Sequence, residues 1–218
     1  MAEKVMIQID SGRLQVIGSA EDTATAKDIE LGSHADALIR VRNDCKVEIH
    51  GDAAEVSVSN VGRVEAHLDS GDIDVADVSG NVEIHTDSAD VALENVTGNV
   101  EIHSDSGEIA ALRIRGRVEI HADSGDITVQ ATSDRVEVNS DSGEVVLDLV
   151  PITHARYEVD SDSAAVTVRL PADVGVRAEL ESDSGEVIND AAEGDDVHLE
   201  VSTDSGDITV LAGVPAFG

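Results

Sequence analysis

Five histidines each stand two residues after a glutamate: Glu48 and His50, Glu65 and His67, Glu83 and His85, Glu101 and His103, Glu119 and His121. On an extended chain residues i and i+2 share a face and lie about 7 Å apart, so each pair sets an imidazole beside a carboxylate. Both groups are ligands for zinc or another transition ion, which makes these ten residues the candidate metal ligands of the chain. A second series, Asp-Ser-(Gly or Ala), begins at Asp69, Asp87, Asp105, Asp123, Asp141, Asp162, Asp183 and Asp204. Its carboxylates suit a hard cation such as calcium, which takes several oxygens at about 2.4 Å. Its serines stand near the histidines and superficially suggest a hydrolase. A nucleophile, however, needs a base held within hydrogen-bond reach and an oxyanion site in a pocket.

The triplet also has a purely structural reading. Asp accepts from backbone amides two residues on, Ser does so more weakly, and Gly tolerates positive φ, so the three together turn the chain between two strands. The Gly-Gly-x-Gly-x-Asp pattern of calcium-binding β-rolls is absent, and Ala89 and Ala164 take the glycine position in two copies. Ligands repeated on stacked strands all point the same way, which opposes closing a tetrahedron around zinc. No metal or other cofactor is expected, and calcium and zinc are the ions worth testing.

The elements that position these residues follow from their spacing. Successive triplets are 18, 18, 18, 18, 21, 21 and 21 residues apart. A fixed period of this size is the signature of a solenoid, in which every repeated residue becomes a column along the rod. Around the triplet, apolar and polar residues alternate with period two, as in Val82-Glu83-Ile84-His85 and Asp126-Ile127-Thr128-Val129, which predicts short strands. A third apolar position at Val61, Val78, Val96 and Ile114, followed by Gly62, Gly80, Gly98 and Gly116, gives the 18-residue coils three sides. The predicted fold is all-β: a single parallel β-solenoid, or β-helix, of about eleven coils, 18-residue coils first and 21-residue coils after them. One domain over residues 1–218 accounts for the whole chain, with a short tail at 211–218. At one strand spacing per coil the rod is roughly 50 Å long.

Pro151 and Pro171 cannot donate a ladder hydrogen bond and belong at corners or bulges, so a change of cross-section is expected near residue 150. Residues 18–28 and 189–196 break the repeat and are predicted as surface excursions. The core is Val, Ile and Leu, which stack well on copies of themselves. Tyr157 and Phe217 are the only aromatics besides histidine, in keeping with coils too narrow for large rings.

Asp and Glu number 46 against 14 Lys and Arg, for a formal net charge of −32. A further acidic column at Asp72, Asp90, Glu108, Asp126, Glu144, Glu186 and Asp207 contributes to it, with Ala165 as a gap. This charge argues against binding a phosphate backbone or an anionic bilayer and leaves nucleic-acid mimicry as a minor alternative. The N-terminus lacks a signal-peptide pattern, and no apolar run approaches the ~18 residues of a membrane span. One cysteine, Cys45, makes no internal disulfide and suits a reducing compartment. The expected location is the cytoplasm.

The Ser-Gly-Asp-Ile-x-Val turns, and above all Val168-Arg169-Leu170-Pro171-Ala172-Asp173-Val174-Gly175-Val176 leading into Asp183-Ser184-Gly185-Glu186-Val187, resemble the bacterial and archaeal β-strand-repeat family of unknown function known as "putative adhesin". The resemblance covers most of the chain from about residue 47 and is strongest from 136 to 210. It implies a β-solenoid and supplies no catalytic residues. A looser likeness, in coil size and stacked aliphatic core, is to bactofilins, cytoskeletal solenoids that polymerise end to end. No enzyme is expected. The chain reads as a structural or scaffolding solenoid that self-associates through its ends, unless the apolar tail with Pro215 and Phe217 folds over the last coil as a cap. The alternative is an acidic binding module for cations, a basic protein or a surface ligand.

Overall fold

The structure is a computed structural model that describes residues 4–20 and 28–213. All described elements are strands and every strand pairing is parallel. The strands stack into eleven rungs, as the repeat predicts. From one end of the rod to the other, the rungs are Asp28–Leu31 with Ala35–Arg42, then Lys4–Ser19, Lys46–Ser59, Arg63–Val78 and Val82–Val96. Val100–Ser104 with Ile109–Arg115 comes next, followed by Val118–Ser124 running into the start of Ile127–Ser142. The rest of Ile127–Ser142 with the start of Glu144–Ser161 makes the eighth rung, and the rest of Glu144–Ser161 with Ala165–Leu170 the ninth. Val197–Thr203 with Ile208–Ala212 forms the tenth, and Gly175–Ser182 with Val187–Asn189 the eleventh.

The rungs do not follow chain order throughout. Lys4–Ser19 lies between Ala35–Arg42 and Lys46–Ser59, pairing Leu14 with both Ala37 and Val56. At the other end Val197–Thr203 lies between Glu144–Ser161 and Gly175–Ser182, pairing Leu199 with both Tyr157 and Ala178. At each end the chain therefore skips one rung, and the first or last coil fills the gap. The end faces belong to 28–42 and 175–189.

Each 18-residue rung turns seven positions inward, one of them usually the corner glycine. In the fifth these are Val82, Ile84, Thr86, Ala89, Val91, Leu93 and Val96, all buried. Because the same position recurs on the next rung, aliphatics stack on aliphatics through the whole rod, and truncating one, such as Ile120 to Ala, costs about 2–5 kcal/mol. Lys4–Ser19, Arg63–Val78 and Val82–Val96 run unbroken through the Asp-Ser-(Gly or Ala) corner, which there is a bend within the ladder rather than a break between strands. The second corner uses left-handed backbone at Asn60, Asp77, Asn95 and Arg113 (φ 54 to 58), each one residue before the buried Val61, Val78, Val96 or Ile114. Asn and Asp are the side chains that enter this region most readily.

The cross-section changes where the prolines predict. Ser133 pairs with Pro151 and Arg135 with Arg156, so residues 152–154 bulge out, with Ile152 exposed and His154 left-handed. The expectation that large rings are excluded fails at this bulge. Tyr157 is fully buried, and its hydroxyl donates to the Ser133 carbonyl at 3.0 Å. Three extra residues per coil widen the rung enough for one ring, and the backbone carbonyl satisfies its only polar atom. Burial, with the Asp134 charge second, pushes the phenol above its ordinary value of 10.

Of the predicted excursions, residues 21–27 lie outside the described residues. Ala192–Glu193 pairs with Gly175–Val176 on the outer side of the eleventh rung before the chain turns back inside. In the tail, Leu211 and Ala212 still belong to a strand and the Gly213 amide donates to the Leu170 carbonyl at 2.8 Å. The proposed cap residues Pro215 and Phe217 lie outside the described residues. No described helix is long and apolar enough to cross a membrane.

Candidate functional site

The predicted Glu and His columns form one face of the rod. Register pairs Glu48, Glu65, Glu83, Glu101, Glu119, Glu137, Glu158, Glu200 and Glu179 on nine successive rungs. Beside them His50, His67, His85, His103 and His121 stack ring on ring, with centroids 4.7–4.9 Å apart and interplanar angles of 2–8°. The near-parallel rings show that this part of the rod has little twist. On every one of these rungs His Nε2 faces the Glu Oε1 of its own strand, at 3.3, 3.7, 3.6, 3.3 and 3.2 Å in chain order. The stack ends where Asn139 Nδ2 meets His121 Nδ1 at 3.0 Å.

Nine glutamates one strand spacing apart would repel strongly. A third column, missed in reading the sequence, balances them. Lys4, Lys46, Arg63, Arg117, Arg135, Arg156 and Arg177 each stand two residues before the glutamate position of their rung, and they are half of the 14 lysines and arginines in the chain. The signal was present as Lys46-Val47-Glu48, Arg63-Val64-Glu65 and Arg135-Val136-Glu137. Lys4 reaches Glu48 at 2.6 Å, Lys46 bonds Glu65, Arg63 reaches Glu83 at 3.0 Å, and Arg156 spans Glu158 and Glu200 at 3.3 and 3.1 Å.

The exposure of the glutamate column is accordingly graded over its first five rungs. Glu48 is buried, its side chain only 10% exposed, and the value rises through 20% at Glu65 and 30% at Glu83 to 49% at Glu101 and 51% at Glu119. The hydrogen bond from Lys4, supported by His50 and Lys46 and opposed by burial, holds the Glu48 carboxyl down at about 2. Lys46 likewise lowers Glu65. His67 is depressed, chiefly by burial and then by the neighbouring His85 and His50.

The Asp-Ser-Gly corner divides its labour differently from the prediction. The serine hydroxyls tie rungs together: Ser70, Ser106, Ser124, Ser142, Ser163 and Ser184 donate to the Asp carbonyl of the adjacent rung at 3.1–3.4 Å. The aspartate side chains do not accept from the turn. Asp52, Asp69, Asp87, Asp105, Asp123, Asp141, Asp162, Asp204 and Asp183 form an unbroken column with no side-chain hydrogen bond or ion pair among the described residues. A shallow groove lined by His50, His67 and His85 on one side and Asp52, Asp69 and Asp87 on the other separates this column from the imidazoles. The outer acid column is partly structural, since Asp90, Asp126 and Asp207 accept the backbone amides of Glu108, Glu144 and Glu186 at 2.8–2.9 Å.

A hydroxyl before the corner, buried at Thr86, Ser161 and Thr203 and half-buried at Ser182, was also missed. Thr86, Ser161, Ser182 and Thr203 accept the amide three residues on, at Ala89, Ala164, Gly185 and Gly206, and none of those residues has positive φ. Ser104 and Ser140 instead donate two residues on, where Gly107 and Gly143 have φ of 123° and 119°. Two interchangeable corner forms explain how alanine occupies a glycine position.

For chemistry, the structure brings each His to its Glu but not to a serine: Nε2 is directed at the carboxylate, and six of the eight triplet hydroxyls are engaged with carbonyls. Neighbouring imidazoles are too far apart to share one ion. Among the described residues no group of three or more His, Cys, Asp or Glu is placed to hold a metal.

The Toastrack DUF4097 family profile matches residues 2–211. No curated protein matches the chain. Among solved structures, the crystal structure of a "putative cell adhesion protein" from Clostridium sporogenes is 16% identical, with 97% of this chain and 93% of that chain covered and a TM-score of 0.24.

Proposed function

The chain belongs to the Toastrack DUF4097 family, and from that premise we propose that it is a non-enzymatic structural solenoid that associates end to end through its two outermost rungs. The observation that carries this reading is the placement of exposed large aliphatics. Three of the four among the described residues lie on those rungs: Leu38 at one end, Val187 and Ile188 at the other. The outer edge of 28–42 is unpaired among the described residues, and that of 175–189 is covered only at Gly175–Val176. Unpaired parallel edges are templates for another strand.

A head-to-tail junction would continue the two acidic columns, setting Glu179 against Asp28 and Glu186 against Asp36, so it should form more readily as salt rises. Electron microscopy of the full-length protein from low to high salt tests this. Filaments with an axial repeat of roughly 50 Å are expected, and Ile188→Asp should shorten them; single rods at every salt concentration would overturn the proposal. The unpartnered aspartate column favours a second reading, an adhesin-like module that binds cations or a basic protein. A cytoplasmic location is part of the first reading, and cell fractionation decides it.

A further inference from the structure

The geometry points to a zinc site completed by a second copy of this chain, lying side by side with the first and contributing the same two residues. Tetrahedral zinc with Zn–N and Zn–O bonds near 2.1 Å holds two ligand atoms about 3.4 Å apart. His103 Nε2 and Glu101 Oε1 are 3.3 Å apart, and His121 Nε2 and Glu119 Oε1 3.2 Å apart. Each pair is half of a coordination shell already set at the required bite. The next rung cannot supply the other half, because the imidazoles are 4.8 Å apart and parallel.

A two-fold axis parallel to the rod supplies it. Across the face the columns run base, Glu, His, Asp. Turning a second rod about that axis reverses this order and keeps every rung opposite its own copy. Glu then meets the partner's His and the basic column meets the partner's Asp. Each zinc would take two imidazoles and two carboxylates, a neutral complex that also removes the repulsion between the facing acids. The small interplanar angles along the histidine stack keep two such rods in step over adjacent rungs.

Of the five His–Glu rungs, these two have carboxylates that no Lys or Arg among the described residues holds. Lys4, Lys46 and Arg63 hold Glu48, Glu65 and Glu83, whereas no Lys or Arg among the described residues touches Glu101 or Glu119. Arg117, 62% exposed and only 3.6 Å from Asp134 at its nearest, would face the partner's Asp123. Asn139 stands at His121 Nδ1, and with its amide turned to present Oδ1 it would accept the Nδ1–H and leave Nε2 free for the metal. This lateral contact is independent of end-to-end association, since it lies on the side of the rod.

Sedimentation velocity and solution scattering on the tag-free full-length protein at pH 7.5, with and without micromolar zinc chloride, test it. Zinc should convert monomer to a dimer with about one zinc per chain, with unchanged rod length and a doubled cross-section, and EDTA should reverse it. The double variant His103→Gln/His121→Gln should stay monomeric, while His50→Gln/His67→Gln should dimerise as wild type. Zinc bound without dimerisation, an adventitious ion only, would overturn the inference. So would a dimer that is end to end, or one that the 103/121 variant still forms.

Discussion

Replacing Gly125 by alanine separates the two corner forms. Gly125 has φ of 118°, and a Cβ built there would lie 2.0 Å from the Gly107 carbonyl oxygen. Backbone in this region is essentially reserved for glycine and costs another residue about 1–3 kcal/mol. Ala89 and Ala164 occupy the same column without that strain, because Thr86 and Ser161 accept their amides and hold the corner in the other form. The residue three before Gly125 is Ala122, which has no hydroxyl. Gly125→Ala is therefore expected to lower stability by about 1–3 kcal/mol. With a urea slope of about 2 kcal/mol/M the midpoint should fall by about 0.5–1.5 M. Adding Ala122→Thr should recover more than half of that loss by recreating the Thr86–Ala89 arrangement. The mixed stack already tolerates this, since Gly71, Ala89 and Gly107 alternate between forms on consecutive rungs. Urea melts followed by circular dichroism give all three midpoints. An unchanged midpoint for Gly125→Ala, or a double variant no better than the single, would refute the two-form account.

Tyr157 is the sole tyrosine, so an ultraviolet pH titration reports it directly. Because its folded-state pKa lies above the ordinary value of 10, its contribution is complete below pH 10 and fades as pH rises beyond that, and phenolate absorbance should appear only together with unfolding. Tyr157→Phe removes the bond to the Ser133 carbonyl and should cost about 1–2 kcal/mol in a urea melt. Glu48 is the acid counterpart. Its carboxyl sits at about 2 in the folded state against an ordinary 4.5, so its contribution is present above pH 4.5 and is lost as pH falls toward 2. Glu48→Gln should cost about 1.5–3 kcal/mol at pH 7 and much less at pH 2.5, as measured by paired urea melts. Deleting residues 197–218 should strip protection from two rungs rather than one in amide hydrogen exchange, because 175–189 loses the strand that joins it to the rod.

The repeat made most of the fold legible. Identical spacing forces identical placement, so the Glu, His and outer acid columns could be aligned from the triplets alone, and the period-two alternation marked the inward positions. The widening near residue 150 was signalled by Pro151. What escaped notice depends on relations between rungs that the spacing does not carry. The interchange of end coils leaves every apolar position where it would be anyway, since Leu14 or Leu199 packs equally well on either neighbour. The burial of Tyr157 needed the bulge at 152–154, visible only once Ser133 is paired with Pro151. The basic column was hidden by its gaps, where Asn81 and Asn99 replace a cation and instead accept the amides of Asn99 and Arg117. The aspartates drew attention for their charge, although the adjoining serines make the connections.

The skipped rung at the C-terminal end imposes a timetable on synthesis. When residues 175–189 leave the ribosome, the place beside Ala165–Leu170 belongs to strands that do not yet exist, so this segment has no edge on which to settle in its final position. Docking early against 157–170 would bring it one rung too close and would have to be undone. The rod is completed only when 197–212 arrives and seats two layers in one event. Until then the edges of 155–170 and 175–189 both stand bare, and the arrival of 197–212 covers the two together.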